Sequence, residues 1–391
     1  MMCDYLERSP KISGFYNNFP DIDGFEKQLK EKGEHYPTAF RKVLSDALKK
    51  QYEDFSISEG TLDNIERLKG ENAFTVTTGH QLNLFTGPLY FLYKIASVIN
   101  LARDLKTRFP GQEFVPVYWM ASEDHDFDEI CFFNFKGSRL RWKREASGAV
   151  GRLSTDGLEK VMNEFGDLLG PGKNAKQLLK LFRDSYLEHK TLAGATRYLA
   201  NELFGKEGLV IVDGDDRELK RLFAPKIKEE LLNQSCVSEV SGTNTELEGK
   251  YHIQVNPREI NLFYLTDGLR ERIVLEGESY RVNQTDHLFT RESILEELEN
   301  HPERFSPNAL MRPLYQEVIL PNLSYTGGGG ELAYWMQLKS YFEKVDVPFP
   351  ILHLRNSALL VKEKEADKLE KLDIEIPELF QDQNELISQK V

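Results

Sequence analysis

Seven consecutive residues, EDHDFDE at positions 123–129, hold five carboxylates and one histidine. Crowded carboxylates repel one another, so some of them must face solvent, accept backbone hydrogen bonds or meet a cation. Asp124, His125 and Asp126 are therefore candidate catalytic residues, one of them as a general base. The oxygens of Asp124 and Asp126 are also a candidate magnesium site, whereas no second histidine at helical spacing supports zinc.

The same stretch directly follows the apolar run VPVYWM, at positions 115–120, which predicts a buried strand. Ligands of open parallel sheets bind beyond the carboxyl ends of the strands. We therefore expect Glu123 to contact a substrate as well, and Asp128 and Glu129 to be solvated. An acidic cap for the following turn is the alternative interpretation.

A second candidate loop, TTGHQLNLFTGP at positions 77–88, leaves another predicted strand. Its first glycine allows a sharp turn, and its second opens a helix whose free N–H groups suit a phosphate or a carboxylate. The imidazole of His80 is a candidate catalytic group that hydrogen-bonds a transferring phosphoryl oxygen. The loop matches neither the P-loop nor the dinucleotide-binding pattern, and a plain strand-to-helix turn is the alternative. Its candidate ligand-contacting residues are Thr78, Gly79, Gln81, Thr86 and Gly87.

A third loop, SYTGGGGELAYW at positions 324–335, contains four consecutive glycines. Such a run costs backbone entropy that a plain turn does not require, but it lets a ligand approach the backbone closely. A flexible linker is the alternative, which the strongly patterned flanking segments disfavour. The candidate nucleotide- or substrate-binding residues here are Tyr325, Gly327, Gly328, Gly329, Gly330, Glu331 and Tyr334.

Several single residues extend this set of candidates. Asn308, Arg312 and Gln316 are four positions apart, so they share one face if FSPNALMRPLYQE is helical, although a proline interrupts it. Asn308 and Arg312 are candidate substrate-binding residues. Arg355 ends the last predicted strand and is a candidate to bind a carboxylate through two hydrogen bonds.

Apolar segments predict five buried strands that alternate with helices, which favours an α/β protein with an open, mostly parallel sheet. The predicted strands are AFTVTT (73–78), EFVPVYWMAS (113–122), LVIVDGDD (209–216), LPNLSY (320–325) and PFPILHLR (348–355). The first two flank a helix and form a βαβ unit, whose crossover is expected to be right-handed. In the region 236–290, YHIQV, EINLFYL and RERIVLEG alternate as antiparallel strands do.

This pattern divides the chain into five segments. We expect a helical N-terminal segment at 1–70, and the first part of the sheet core with a helical insertion at 71–235. An α+β insertion follows at 236–304, and residues 305–360 complete the core. Residues 361–391 are charged and are predicted to be helical in part.

Composition excludes several classes of function. The 391 residues carry 50 basic and 63 acidic side chains, a net charge of −13 that argues against an extended nucleic-acid surface. No apolar run reaches the ~18 residues of a membrane span, and the polar N-terminus does not resemble a signal peptide. Cys3, Cys131 and Cys236 lie far apart without a neighbouring histidine, so we expect reduced thiols in a cytoplasmic protein. Lys94, inside a predicted helix, is expected to be a surface lysine.

Four blocks of the sequence together resemble the cysteine ligase BshC family of bacillithiol biosynthesis. They are TTGHQLNLFTGPLYFLYKI, VPVYWMASEDHDFDEI, FSPNALMRP and YTGGGGELAYWMQLK. The resemblance implies a Rossmann-like core with insertions, followed by an α-helical coiled coil that forms a homodimer. It also implies amide formation between the carboxyl group of L-cysteine and the amino group of glucosaminyl-malate, with ATP activating the acid.

Under this resemblance the candidate residues acquire roles. Backbone amides at Gly79 and Gly87, together with His80, would stabilise phosphoryl charge. The four glycines would accept the nucleotide or the cysteine backbone. The acids of EDHD would bind an amine or magnesium, and Arg312 or Arg355 would meet the malate carboxylate.

The chain departs from the family in two respects. Many family members carry a glutamine where this chain has His80, and the chain ends where the coiled coil is expected to begin, at the charged tail from Val361 onward. Three other functions stay open. They are a nucleotidyltransferase or other adenylate-forming enzyme with a different acceptor, a nucleotide-binding interaction protein that docks a partner on its acidic loop, and a metal-dependent hydrolase built on EDHD.

Overall fold

The computed structural model of the chain describes residues 1–390. Its strands in that range are β1 (Ala73–His80), β2 (Glu113–Met120), β3 (Phe132–Phe135), β4 (Ser138–Arg141), β5 (Val210–Asp213), β6 (Leu262–Thr266), β7 (Leu269–Glu276), β8 (Ser279–Val282), β9 (Leu288–Phe289), β10 (Phe305–Pro307), β11 (Asn322–Gly327) and β12 (Ile351–Leu354). Its helices are α1 (Met2–Leu6), α2 (Ile22–His35), α3 (Thr38–Gln51), α4 (Glu59–Arg67), α5 (Tyr90–Arg108), α6 (Phe127–Ile130), α7 (Leu158–Leu169), α8 (Lys173–Tyr186), α9 (Leu192–Phe204), α10 (Arg217–Asn233), α11 (Ser235–Leu247), α12 (Arg291–Asn300), α13 (Met311–Ile319), α14 (Gly329–Met336), α15 (Lys339–Lys344), α16 (Glu363–Lys371) and α17 (Gln383–Lys390).

The central sheet consists of the five predicted strands, in the order β12-β11-β1-β2-β5. Every neighbouring pair is parallel, and all residues of β1 are buried. The predicted α/β fold with a parallel sheet is therefore confirmed, as is the helical N-terminal segment, which contains α1 to α4.

The strand order reverses at β1. The chain passes from β1 to β2 and β5 on one side, and later adds β11 and β12 on the other side. The carboxyl ends of β1 and β11 therefore flank a topological switch point, where open α/β sheets bind their ligands. The loops that follow these two strands are two of the three candidate loops.

The antiparallel region of the chain is only partly as predicted. A second sheet has the order β10-β6-β7-β8-β9, but its region begins with helix α11, and residues 251–255 form no strand. The side chain of Gln337 accepts hydrogen bonds from the Gln254 and Val255 N–H groups at 3.0 and 3.3 Å, and its amide donates to the Val255 carbonyl at 2.8 Å. A side chain thus replaces the neighbouring strand that the alternating pattern predicts.

The protein divides into two compact units, Met1–Arg355 and the segment from Asn356 onward. The second unit contains α16 and α17, and neither helix has a buried side chain. None of the helices within residues 1–390 combines the length and the apolar character that crossing a membrane requires.

Candidate functional site

A cavity of about 650 Å³ lies at the carboxyl ends of the central strands. The ends of β1 and β2, the acidic loop (residues 123–129), helices α5, α13 and α14, and part of the antiparallel region contribute to its walls. The predicted site residues that line it are Gly79, His80, Gln81, Glu123, Asp124, His125, Asp126, Asn308, Arg312, Tyr325, Glu331 and Tyr334. Residues from all three candidate loops therefore surround one cavity.

The other predicted site residues do not belong to the cavity wall. They are Thr78, Thr86, Gly87, Gly327, Gly328, Gly329, Gly330 and Arg355. Thr78 is buried and donates its hydroxyl to the Thr326 carbonyl at 2.8 Å, so it connects β1 to β11. The guanidinium of Arg355 lies 5.0 Å from the centre of the Tyr90 ring, and Tyr90 does line the cavity.

The run of glycines serves the packing of α14. The Gly328 N–H donates to the Glu331 carboxylate at 3.1 Å, so a side chain of the same helix already occupies this amide. A Cβ at Gly327 would lie 3.0 Å from the Tyr325 ring, and one at Gly329 would lie 3.1 Å from the Met2 side chain. Close approach of side chains therefore accounts for at least two of the four glycines.

Lys94 is a buried member of the site, and the prediction of a surface lysine is wrong. Its side chain extends from α5 and is 4% exposed. The ammonium donates to both oxygens of Glu331, at 2.9 and 2.8 Å, and to the Gly79 carbonyl. Burial lowers the pKa of Lys94, and the Glu331 carboxylate only partly offsets this effect. The ion pair fastens the end of β1 to the start of α14.

Arg312 places a cation in the cavity wall without an acidic partner within ion-pairing distance among residues 1–390. Its guanidinium donates to Gln316 Oε1 at 3.1 Å and to the Tyr334 hydroxyl at 3.2 Å. It also lies 5.6 Å from the centre of the Tyr325 ring. A guanidinium has five N–H donors, so donors remain for an anionic ligand.

The predicted helical face of Asn308, Arg312 and Gln316 is only partly correct. Helix α13 begins at Met311, after strand β10. Asn308 therefore precedes the helix, and its side-chain oxygen accepts from the Leu310 and Met311 N–H groups at 2.9 and 3.2 Å. Pro313 lies in the first turn of α13, where a missing N–H costs no helical hydrogen bond.

His80 ends β1 as a buried imidazole in the cavity wall. Its Nδ1 lies 2.9 Å from the Gln81 carbonyl, while Nε2 is buried and has no hydrogen-bond partner among the described residues. Since a carbonyl only accepts, Nδ1 carries the proton and Nε2 is left as an acceptor. Burial, together with the nearby Lys94 ammonium, lowers the pKa of His80 to about 4. The ring is therefore neutral at pH 7.

This shifted pKa predicts a specific acid sensitivity. The folded-state pKa of His80 is about 4, below the ordinary value of 6.5. The contribution of the neutral imidazole to the free energy of unfolding is therefore complete above pH 6.5 and is lost as the pH falls towards 4. The loss is on the order of 3 kcal/mol. In urea unfolding at several pH values, His80→Gln is expected to flatten this dependence. Replacing the exposed His252 with glutamine should leave it unchanged, and an unaltered slope in His80→Gln would contradict the assignment.

The two aspartates in the first half of the acidic loop differ in exposure and in hydrogen bonding. Asp124 Oδ1 accepts from the His125 N–H at 2.7 Å, and Oδ2 accepts from Gln81 Nε2 at 3.0 Å. Asp126 is exposed at the start of α6. Asp124 therefore caps the turn, as the alternative interpretation proposes, and it also lines the cavity.

The outer acids and the inner acid of the loop differ in burial. Asp128 is 87% exposed at its side chain and pairs with Arg141, in agreement with its predicted solvation. Glu129 is exposed but accepts from Gln81 Nε2 at 2.8 Å. Glu123 is 9% exposed and pairs with the fully buried Lys220 of α10. No sequence signal in the loop itself reveals that partner.

The antiparallel sheet supplies another cavity residue that the sequence did not indicate. Arg270 of β7 donates to His125 Nδ1 at 2.6 Å and to the Pro307 carbonyl at 3.1 Å. Its guanidinium lies 3.9 Å from the centre of the Phe263 ring. Because arginine can only donate, His125 Nδ1 is the acceptor of this hydrogen bond.

The backbone of the acidic loop is held by a neighbouring turn. The Val150 N–H donates to the Asp124 carbonyl and the Gly151 N–H to the Ser122 carbonyl, each at 2.7 Å. A Cβ at Gly151 would lie 2.6 Å from Ser122 Cβ and 2.9 Å from the Ser122 carbonyl oxygen. Glycine is therefore required for this approach.

We expect Gly151→Ala to displace the acidic loop. Overpacking of this kind costs about 1–3 kcal/mol in the free energy of unfolding, measurable by urea denaturation, and the ligand affinity of the cavity should fall with it. Gly242→Ala is the control, because its added Cβ would meet nothing within 4 Å and alanine favours a helix. Equal stability of the two variants would show that the close approach is unimportant.

Among residues 1–390 no group of three or more histidine, cysteine, aspartate or glutamate side chains is arranged to hold a metal ion. Asp124 and Asp126 can supply two oxygens, and magnesium commonly completes its shell with water and phosphate. Cys131 and Cys236 are buried, and Cys3 is exposed.

Comparison with known proteins identifies the family. The family model described as "Bacillithiol biosynthesis BshC, N-terminal Rossmann-like domain" matches residues 1–356. The chain belongs to the BshC family. The implied Rossmann-like fold and the resemblance seen in the four sequence blocks are thereby confirmed.

Relatives of this chain carry the printed name "Putative cysteine ligase BshC". The relative from Flavobacterium johnsoniae is 54% identical over 99% of this chain and 73% of its own length. That from Christiangramia forsetii is 53% identical over 100% of this chain and 74% of its own length. A more distant relative from Salinibacter ruber is 35% identical over 88% of this chain and 66% of its own length. The family to which the chain belongs is thus one of ligase enzymes.

Proposed function

We propose that the protein is a cysteine ligase of bacillithiol biosynthesis, which joins the carboxyl group of L-cysteine to the amino group of glucosaminyl-malate. The observation that carries this proposal is the charge pattern of one cavity. Its wall contains the Arg312 guanidinium, which forms no ion pair with a carboxylate of residues 1–390, and the nearly buried carboxylate of Glu123. An acceptor with malate carboxylates and an amino group needs both signs of charge in one site.

The cavity residues divide between the parts of the reactants. Arg312 would bind a malate carboxylate by a bidentate interaction, for which a guanidinium is well suited. The acids of the loop, Glu123, Asp124 and Asp126, would meet the ammonium group of an incoming amine. His80, neutral and with an unpartnered Nε2, would accept a hydrogen bond from a hydroxyl or an amine.

Formation of an amide from a carboxylate requires activation, which we propose that ATP with magnesium supplies. Attack of the cysteine carboxylate on a phosphorus of ATP would form an acyl phosphate, with ADP leaving, or an acyl adenylate, with pyrophosphate leaving, and would make the carboxyl oxygen a good leaving group. Magnesium, held by oxygens of Asp124 or Asp126, would oppose the phosphoryl charge. The charge of the cavity residues is compatible with this scheme.

Homodimerisation is a further part of the proposal. The second unit exposes Leu372, Ile376 and Phe380, and exposed apolar residues on helical segments favour association with another helix. Light scattering after size-exclusion chromatography measures this directly. A mass of 45.1 kDa would show a monomer and contradict dimerisation of this chain.

The decisive experiment is incubation with ATP, magnesium, L-cysteine and glucosaminyl-malate, followed by mass spectrometry. We expect the cysteinyl adduct, with AMP or ADP formed in equal amount, and no nucleotide cleavage when cysteine is omitted. Cysteine-dependent AMP without this adduct would favour an adenylate-forming enzyme with a different acceptor. Absence of both adduct and nucleotide cleavage would contradict the ligase proposal.

A further inference from the structure

One carboxylate of the acidic loop has an oxygen that the protein leaves without a donor. Glu123 Oε1 accepts from the Lys220 ammonium. Within residues 1–390 no backbone or side-chain group donates a hydrogen bond to Oε2, and the residue lines the cavity. The residue is nevertheless buried, with only 9% of its surface exposed. A carboxylate that is shielded from bulk water and has a vacant acceptor can receive a proton from a ligand.

The neighbouring acids are less suited to that role. Both oxygens of Asp124 already accept hydrogen bonds, from the His125 N–H and from Gln81. Asp126 is exposed, so water would compete for any proton that it receives. Geometry therefore separates Glu123 from the two aspartates that the sequence favoured as catalytic residues.

We propose that Glu123 is the general base of amide formation and that Lys220 is the positioning residue that orients its carboxylate. This assignment rests on the proposed ligase activity. In the step, the amine lone pair forms the N–C bond to the carbonyl carbon of phosphoryl-activated cysteine. The bond from that carbon to the phosphorylated oxygen breaks, and the leaving group keeps the electron pair. The N–H proton moves to Glu123 Oε2 and then to solvent.

Charged and titratable groups from several elements face Glu123. Burial raises the pKa of Glu123 above its ordinary value, and the Lys220 ammonium opposes the rise. Asp215, after β5, adds to the rise, and Arg270 of β7 opposes it. Tyr315 of α13 faces the same group, and its ring centre lies 5.5 Å from the Lys220 ammonium.

Lys220 is fixed in place by more than its ion pair. Its ammonium also donates to the Phe305 carbonyl at 2.7 Å, and its side chain is completely buried. The cation therefore cannot turn towards solvent, and it holds one carboxylate oxygen while the other is left for the amine.

The test compares two acceptors in the full chain. With glucosaminyl-malate, Glu123→Gln is expected to reduce the rate of amide formation about 100-fold. Hydroxylamine is a strong nucleophile towards an activated carboxyl group, and its adduct can lose the N–H proton directly to water, so Glu123→Gln should reduce formation of cysteine hydroxamate far less than it reduces amide formation. Asp128→Asn is the matched control, because it removes an exposed carboxylate of the same loop, and it should leave both reactions unchanged.

The pH profile separates a base from a mere ammonium contact. In the wild type, the rate of amide formation should rise with pH as Glu123 ionises, which gives the pH profile an acid limb. Glu123→Gln should abolish this limb. Lys220→Met should move the limb to higher pH without a change in KM for the amine, because the cation that favours the ionised carboxylate is gone. A higher KM with an intact limb in Glu123→Gln would overturn the assignment.

Other outcomes are equally decisive. Equal loss with both acceptors in Glu123→Gln would show a structural role and contradict the base. An unchanged rate of amide formation with glucosaminyl-malate in Glu123→Gln would also contradict the assignment of Glu123 as the base. A wild-type chain that forms neither the adduct nor the hydroxamate would contradict the ligase activity itself, which is a different result from the loss of one reaction in one variant.

Discussion

Replacing Arg312 with methionine is expected to lower kcat/KM for glucosaminyl-malate about 1000-fold, because loss of a buried charge partner costs about 2–5 kcal/mol. The guanidinium is held by Gln316 and Tyr334, not by a carboxylate. Burial opposes its charge, but Tyr334, Tyr325 and the Glu331 carboxylate together raise the pKa of Arg312. The group is therefore a permanent cation, and no acid among residues 1–390 lies within ion-pairing distance of it.

The substrate offers its own control for this prediction. Glucosamine without malate lacks the carboxylates, so Arg312→Met should change the turnover of glucosamine less than about threefold. Arg312→Lys should recover only part of the activity with glucosaminyl-malate, because an ammonium cannot reproduce the two parallel hydrogen bonds of a guanidinium. Arg221→Met, at an exposed arginine paired with Glu218, should have no effect.

The opposite outcome is easily recognised in steady-state kinetics. If Arg312→Met lost activity equally with both acceptors, the guanidinium would have a structural role in the cavity wall and would not bind the malate carboxylate. A lower melting temperature would then accompany the loss, since Arg312 also packs near the Tyr325 and Trp335 rings, 5.6 and 5.8 Å from their centres.

The fold could be predicted from the sequence because its determinants are local. The central strands are short and buried, β1 and β5 are rich in β-branched residues, and a helical segment separates most of the five. The meeting of three loops at one cavity followed from topology, since the carboxyl ends of parallel strands share one edge of a sheet.

Helix α11 shows where local reasoning fails. Its buried residues Cys236, Val240, Thr243 and Leu247 recur at helical spacing, but glycine and β-branched residues within SCVSEVSGTNTEL obscure that period. Residues 251–255 do not form the predicted strand because a distant side chain, that of Gln337, makes the backbone hydrogen bonds that a neighbouring strand would make.

Lys94 was missed although the sequence contained a signal. It lies three residues after Phe91 and four before Val98, both of which are buried, so the lysine belongs to the apolar face of its helix. A lysine in that position needs a partner, but Glu331 is 237 residues further along the chain. Pairings at such separations, like that of Lys220 with Glu123, depend on how the elements pack.

Lys94→Met is expected to lower the free energy of unfolding by about 3 kcal/mol, because removal of one member of a buried ion pair leaves the other charge uncompensated. The Glu331 side chain is 31% exposed, which favours the lower end of the range for such pairs. It also keeps the Tyr325 hydroxyl, at 2.8 Å, and the Gly328 N–H. Urea denaturation at neutral pH measures the change.

A double-mutant cycle separates the ion pair from the packing of the lysine stem. If the pair is responsible, Lys94→Met combined with Glu331→Gln should be more stable than the sum of the single changes predicts, by about 1 kcal/mol or more. Additive changes would mean that the two charges act independently. The pH dependence gives a second criterion. Although burial raises the pKa of Glu331, Lys94 lowers it below its ordinary value, so the stabilisation is present above the unfolded-state pKa and disappears as the pH falls through the folded-state pKa. In Lys94→Met that acid limb should move to higher pH, because the carboxylate then retains the cost of burial without the cation that offsets it.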